Sequence, residues 1–458
     1  MPIESVNPAN DTVLRVWSEM SEADLDVTLM AASQAQEFWA SLPFEERALP
    51  LQALSEQFEQ REAELAHLMA QEMGKPLPQG RAEVLKCASA CRWVSENAAD
   101  CLVDDFVDLD GERVLLTYRP LGLVLAVMPW NFPFWQVIRC LAPASMAGNG
   151  MLLKHAPSVQ GCAEAMAEMT RDAGLPEGLF ANLTLDEDRV GRLVARPEVA
   201  AVSLTGSTRA GSTVAAAAGD ALKKCVLELG GSDPYVVLED ADIDLAVQCC
   251  AKSRLQNSGQ SCIAAKRFIV VDAVRKDFTA RLVAFMESQS WGDPLGADPV
   301  DIGPLARRDL RDALHEQVRK SVLSGARLLL GGKVPDGPGA YYPPTVLAGV
   351  QPGMPAFDEE TFGPVAAVVP AVDEEHAFGL ANATPFGLGA AIFTADAERG
   401  ARLAADHFQV GNCAVNTMVM SDPRIPFGGI KASGFGRELG ANGFREFTNL
   451  KTVRFPAV

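Results

Sequence analysis

No apolar stretch of this 458-residue chain reaches the length needed to cross a bilayer. Positive charge is also scarce: 40 Lys and Arg stand against 59 Asp and Glu, giving a formal net charge of −19 and a sequence pI near 4.8. These two shortages argue against a membrane or nucleic acid as partner, while leaving room for a local basic pocket. The cysteines lack pattern. The ten at positions 87, 91, 101, 140, 162, 225, 249, 250, 262 and 413 form neither a disulfide framework nor the paired CxxC of a zinc site. Free thiols, no metal and a reducing, cytoplasmic location are therefore expected. The opening MPIESVNPAND has no basic segment followed by an apolar run, so neither a signal nor a transit peptide is expected.

What the chain does have is length and apolar content. At 458 residues, 48% of them apolar, it exceeds one ordinary core, and two or more domains are expected. Ser21 and Asp24 are placed to cap a helix running to Trp39; further helices are predicted over Glu45 to Met73 and Gly80 to Ala99. The pattern then changes to alternation. FVDLDGERVLLTY, turning at Asp110-Gly111, reads as a two-stranded hairpin, which is marginally stable alone and must lie against the body or another subunit. From Leu121 onward, apolar runs alternate with helical segments. Leu123 to Met128, Met151 to Leu153, Val199 to Leu204 and Cys225 to Leu229 predict an α/β unit with a parallel sheet covered on both faces. A second series runs from Tyr235 to Val415, and the tail from Pro426 is glycine-rich and ends in an extended segment.

Chemistry is concentrated in a few short segments. In NSGQSCIAAKR, Cys262 lies between a glycine-containing polar turn and an apolar strand, so its thiol is presented and not packed, with backbone N–H groups able to support an oxyanion beside it. Gly206-Ser207-Thr208 with Gly211 joins a strand to a helix, where N–H groups can bind phosphate; an ordinary strand-to-helix turn has the same look. Lys154 ends another strand and could meet a nucleotide ribose or extra phosphate, or simply be solvated. Glu228 ends a buried run before Gly230-Gly231; a carboxylate there is either a general base with a raised pKa or half of a salt bridge. Asn131, in Pro129-Trp130-Asn131-Phe132-Pro133, follows the first strand of the sheet, where its amide could face a developing oxyanion or shape a turn.

Taken in order, PWNFP, Lys154, Gly206-Ser207-Thr208, Glu228-Leu229-Gly230-Gly231, Gly259-Gln260-Ser261-Cys262, Glu360-Thr361-Phe362-Gly363-Pro364 and Pro426-Phe427-Gly428-Gly429 strongly resemble the aldehyde dehydrogenase superfamily. Lys431, Ser433-Gly434 and Gly436-Arg437-Glu438 continue the match, which runs from about residue 5 to the C-terminus. The resemblance implies a Rossmann-like cofactor domain at 1–102 and 120–228, an α/β catalytic domain at 229–425, and a small β oligomerisation element at 103–119 and 426–458. It implies Cys262 as nucleophile, Asn131 and the Cys262 N–H as oxyanion donors, and Glu228 as the base that hydrolyses the thioester. Trp130, Lys154, Ser158, Gly206, Ser207, Leu229 and Glu360 would hold the cofactor. A homodimer or homotetramer is implied as well.

NAD-selective members often carry a glutamate three residues after the matching lysine. Here that position is Pro157, followed by Ser158, which favours NADP with NAD as the alternative. Arg139, eight residues after Asn131, matches the carboxylate-binding arginine of succinate-semialdehyde dehydrogenases, and LKHAPS and GQSCIAAKRFIV resemble their compact bacterial branch. The competing reading is an arginine on a helix surface paired with an acid. Two positions depart from the group's pattern. Gln256 stands where a second substrate arginine is found in other members, and Ala264 replaces a cysteine used in a redox disulfide. The alternatives are a dehydrogenase for another small aldehyde or a CoA-acylating relative, against which Glu228 argues. A cysteine hydrolase would need a nearby base, and His67, His155, His315, His376 and His407 all lie outside these segments.

Overall fold

The computed structural model describes residues 3–456. Its functional frame is a six-stranded sheet in the order Gly434–Phe435, Lys224–Glu228, Val199–Thr205, Leu123–Met128, Gly150–His155 and Phe180–Asn182. All pairings are parallel except the short Gly434–Phe435 edge. The continuous apolar runs of the central strands follow from burial on both faces: Val124, Leu125 and Ala126 are fully buried. From Leu123–Met128 the chain first adds strands on one side and then returns to add Val199–Thr205 on the other. Strand order therefore reverses between those two strands, which opens a ligand crevice at their carboxyl ends.

A second, seven-stranded sheet has the order Arg327–Leu330, Thr345–Ala348, Val365–Ala371, Ala265–Val271, Asp233–Val237, Gly389–Phe393 and Asn412–Val415. Only its Arg327–Leu330 edge runs antiparallel. The third sheet pairs Asp105–Leu109 with Glu112–Pro120, and Glu112–Pro120 with Thr448–Pro456. Gly111, at φ +78°, makes the hairpin turn that the Asp110-Gly111 pair announces.

Three features differ from the sequence reading. The helix expected over Glu45 to Met73 divides at Arg61 (φ −99°, ψ 13°), into Phe44–Gln60 and Glu62–Met73, with the Arg61 guanidinium bound to Glu64 and Glu168. The short strands Phe180–Asn182, Arg327–Leu330 and Thr345–Ala348 carry too few residues to show a period. Gly434–Phe435 joins the six-stranded sheet beside Glu228, while only the end of the glycine-rich tail enters the three-stranded sheet.

Helix Trp135–Met146 is buried along its whole length, packed among Phe44–Gln60, Leu77–Cys101 and the six-stranded sheet. Any polar side chain on it must therefore find an internal partner.

Candidate active site

Cys262 follows a backbone that few residues would adopt. Asn257, Ser258 and Gly259 stand at φ +55°, +56° and +77°, and a Cβ on Gly259 would lie 2.3 Å from the Gly363 carbonyl. Left-handed non-glycine residues persist only where surrounding bonds over-determine them. Here they do: Asn257 Nδ2 donates to the carbonyls of Asn131 (2.7 Å) and Gln260 (3.1 Å), the Ser258 hydroxyl accepts from Gly303 N–H (2.9 Å), and Gln260 Oε1 accepts from Ala306 N–H (2.8 Å). The turn delivers Cys262, half-buried, to the wall of a cavity of about 310 Å³.

The thiol's surroundings favour its neutral form. Burial pushes it up to about 11, with Glu360 and Glu228 adding to the shift; Arg139 and Lys266 oppose it. Lys266 is held close by its bonds to the Ser261 (3.1 Å) and Cys262 (2.6 Å) carbonyls. It also pairs with Glu360 at 3.1 Å, and Glu360 in turn accepts from Gly231 N–H (3.1 Å). A Cβ at Gly230 would meet Glu360 Oε2 at 2.4 Å, so the Gly230-Gly231 pair is what lets this carboxylate lie against the chain.

Asn131 is buried beside the turn. Its Nδ2 donates to the Gln260 carbonyl (3.0 Å), which uses one of its two hydrogens and leaves the other. Gln136 Nε2 donates to its Oδ1 (3.0 Å). The Cys262 backbone N–H donates to no acceptor among the described residues. Two donors, the Cys262 main-chain N–H and the second amide hydrogen of Asn131, which is bonded to Gln260 two residues before the cysteine, are thus uncommitted, as an oxyanion site requires.

Glu228 is placed differently. Both carboxylate oxygens are buried without a hydrogen-bond partner among the described residues, and Oε1 lies 2.7 Å from where a Cβ on Gly428 would be. Burial pushes its carboxyl well above the usual range, Glu438 adds to this, and Arg139 and Arg437 pull against it. The salt-bridge alternative for Glu228 has no support in this geometry, since its two oxygens are unpaired. Glu228 is not among the residues that line the cavity.

Arg139 reaches the cavity, but its guanidinium is not free. It forms a buried ion pair with Glu438, donates from Nη2 to Thr205 Oγ1 (3.1 Å), and sits 5.0 Å from the Phe427 ring centroid. Burial of helix Trp135–Met146 obliges Arg139 to take an internal acid, so the arginine expected to bind the substrate carboxylate stands in the cavity already paired with Glu438. The acid-paired alternative had the right partner type and the wrong place, the core instead of the surface. Gln256, at the second substrate-arginine position, is exposed at the cavity's edge.

The sequence reading missed a supporting pair. Lys75 and Glu83, both fully buried, form an ion pair; Lys75 Nζ donates to the Asn131 carbonyl (2.9 Å), and Glu83 Oε1 accepts from the N–H groups of Phe134 and Trp135 (3.0 Å each). Glu83 thereby caps the helix that carries Gln136 and Arg139, while Lys75 fixes the loop of Asn131. Lys75 lies in the short loop between Glu62–Met73 and Leu77–Cys101 and Glu83 on the second of these helices, so no local sequence pattern marks them as a pair.

The expected cofactor residues gather at the carboxyl ends of the six-stranded sheet. Trp130 follows Leu123–Met128, and its ring meets Phe362 edge-on at 5.8 Å. Gly206 and Ser207 follow Val199–Thr205, with Ser207 Oγ accepting from Ala210 N–H (3.2 Å) as the cap of helix Thr208–Asp220. A Cβ at Gly211 would meet Leu229 at 2.5 Å, so this helix start packs tightly on the strand end. Lys154 lies at the end of strand Gly150–His155, two strands from Val199–Thr205, and Ser158 follows it. Lys154 is buried without a hydrogen bond or ion pair among the described residues, burial lowers its pKa, and the Ser158 hydroxyl is buried without a partner. An unpaired buried cation at the end of the strand and, four residues on, an unpaired hydroxyl fit a phosphorylated ribose.

The family model for the aldehyde dehydrogenase family matches residues 1–453. The chain belongs to the aldehyde dehydrogenase family. It is 48% identical over 449 residues to the succinate semialdehyde dehydrogenase (NAD(P)+) of Escherichia coli strain K12, covering 98% of this chain and 97% of that one. The succinic semialdehyde dehydrogenase of Streptococcus pyogenes, solved in complex with NADP+, superposes with a TM-score of 0.96 at 34% identity over 99% of this chain and 100% of its own. The lactaldehyde dehydrogenase of Escherichia coli does so equally well, at 0.96 and 33% identity over 100% and 96%. Family members with different substrates therefore share this backbone, and substrate choice must come from side chains.

Proposed function

We propose that the chain oxidises succinic semialdehyde to succinate, with NADP preferred over NAD, through a covalent intermediate on Cys262. The observation that carries the chemistry is the Cys262 sulfur on a cavity wall, with an unpaired N–H of its own and a spare amide hydrogen of Asn131 beside it. Cys262 loses its proton to water and attacks the aldehyde carbon as the thiolate, and those two donors hold the oxygen of the thiohemiacetal. Lys154 and Ser158 take the phosphorylated ribose of the cofactor, Gly206 and Ser207 its pyrophosphate, and Trp130, Leu229 and Glu360 flank the rest. The chemistry that bound NADP supplies is hydride acceptance. Glu228, held against Gly428 where burial raises its carboxyl pKa, then turns toward Cys262, and its carboxylate form accepts the proton of the water that hydrolyses the thioester.

The name of the 48%-identical relative supports the substrate, and the absence of a carboxylate at Pro157 and Ser158 supports NADP. We further propose a cytoplasmic homodimer or homotetramer formed through the three-stranded sheet, which exposes Phe106, Val107, Leu109, Leu450 and Val453. No helix among the described residues is long and apolar enough to cross a membrane.

The test is the initial rate of reduced-cofactor formation by the purified protein with succinic semialdehyde, butanal and lactaldehyde, each with NADP and NAD. The expected result is a kcat/KM for succinic semialdehyde at least about tenfold above the others, with NADP the better cofactor. Equal or better turnover of butanal would remove the substrate assignment and leave family membership standing.

A further inference from the structure

Three cations line the cavity beside Cys262, and two are committed. Arg139 is paired with Glu438, and Lys75 with Glu83. The third is Lys86, one turn beyond Glu83 on helix Leu77–Cys101. Its ammonium lies 4.1 Å from the Trp135 ring centroid and donates to Ser421 Oγ at 2.7 Å. No carboxylate among the described residues forms an ion pair with it; Asp422, beside Ser421, is paired with Arg424 at 2.7 Å.

Ser421 is used from two sides. Its oxygen accepts from Lys86 Nζ and from Trp135 Nε1 (3.2 Å), which leaves its own O–H as a donor. One ammonium with two remaining hydrogens and one hydroxyl with a free hydrogen therefore face the same cavity, and Trp135 and Met420 supply apolar wall around them. Burial, with Arg139 adding, lowers Lys86 to about 8, against the weaker opposing pull of Cys87, Glu83 and Asp422. At neutral pH it remains mostly protonated. An anion entering the cavity finds one unpaired positive charge, already oriented by a ring and a hydroxyl.

We propose that Lys86, steadied by Trp135 and Ser421, binds the carboxylate at the far end of the substrate and selects aldehydes that carry one. This rests on the reading that the substrate is a carboxylated aldehyde, and it adds a cation from the neighbouring helix to Arg139, whose Nε and Nη2 are engaged by Glu438 and Thr205.

The test uses the intact oligomer with NADP and compares wild type with Lys86→Met, Lys86→Gln and Lys86→Arg. The ratio of kcat/KM for succinic semialdehyde to that for butanal should fall at least about tenfold in Lys86→Met and Lys86→Gln, the loss expected for a charge-assisted hydrogen bond, and should recover in part in Lys86→Arg. Inhibition by succinate against butanal should weaken by a similar factor in the same variants. A folded Lys86→Met or Lys86→Gln enzyme with an unchanged ratio and unchanged succinate inhibition overturns the proposal. If wild type prefers butanal, yet succinate inhibits it and loses that effect on Lys86→Gln, the anion site stands and the substrate reading falls. Succinate that inhibits neither form overturns both.

Discussion

Replacing Arg139 with methionine removes one half of a buried ion pair and leaves Glu438 with Ser203 as its remaining hydrogen-bond partner, at 3.3 Å. Both side chains of the pair are 3% exposed, so solvent cannot compensate the survivor. Breaking such a pair costs about 3–5 kcal/mol. Unfolding entropy of about 2.1 cal/mol/K per residue, taken over a 458-residue cooperative unit, is near 1 kcal/mol/K, so the melting temperature should drop by about 3–5 °C. Differential scanning fluorimetry on Arg139→Met, Glu438→Leu and the double variant reads this directly. The double variant should lose less than the sum of the two singles, because replacing both partners by apolar groups leaves no orphaned charge. Strict additivity, or an Arg139→Met melting temperature equal to wild type, would refute the pairing as an energetic unit. If Arg139→Met were stable and raised the KM for succinic semialdehyde alone, Arg139 and not Lys86 would be the carboxylate anchor.

In the protein without substrate, the Cys262 thiol is held at about 11, above its ordinary value, so the reactive thiolate is scarce at neutral pH and grows with pH. Iodoacetamide labelling of the Cys262 peptide, followed by mass spectrometry, should accelerate about tenfold per pH unit between roughly pH 7 and 9; a plateau reached by pH 7 would mean the thiol is already ionised. Lys154→Ala should raise the KM for NADP by about tenfold and that for NAD by less. Equal effects on both would detach Lys154 from the 2′-phosphate. Gly259→Ala brings a Cβ to 2.3 Å from the Gly363 carbonyl in a left-handed turn, and should lower stability by more than about 2 kcal/mol together with activity; an unchanged melting temperature would contradict the account of that turn.

The parallel sheet was legible because buried strands such as Leu123–Met128 are apolar at nearly every position and the connecting helices are long enough to show their period. The site segments were legible because each needs a small residue at a fixed place, as Gly259 does against Gly363 and Gly230 against Glu360. What could not be read is partnership between distant residues. Arg139 and Glu438 were each visible, yet nothing local says that they meet, and Lys86 and Ser421, 335 positions apart, carried no motif at all. The orientation of Glu228 was hidden for a related reason. Its segment shows burial, while the direction of its carboxyl depends on the space left by Gly428, contributed from the far end of the chain.

Covalent catalysis at Cys262 with deacylation by Glu228 is tested most directly by trapping. Glu228→Gln, mixed with succinic semialdehyde and NADP, should release about one NADPH per active site in a fast burst and then stall. Mass spectrometry should find one succinyl group on the Cys262 peptide, and no adduct in Cys262→Ala. Steady turnover by Glu228→Gln at the wild-type rate, or an adduct on any other residue, would contradict the assignment of nucleophile and base.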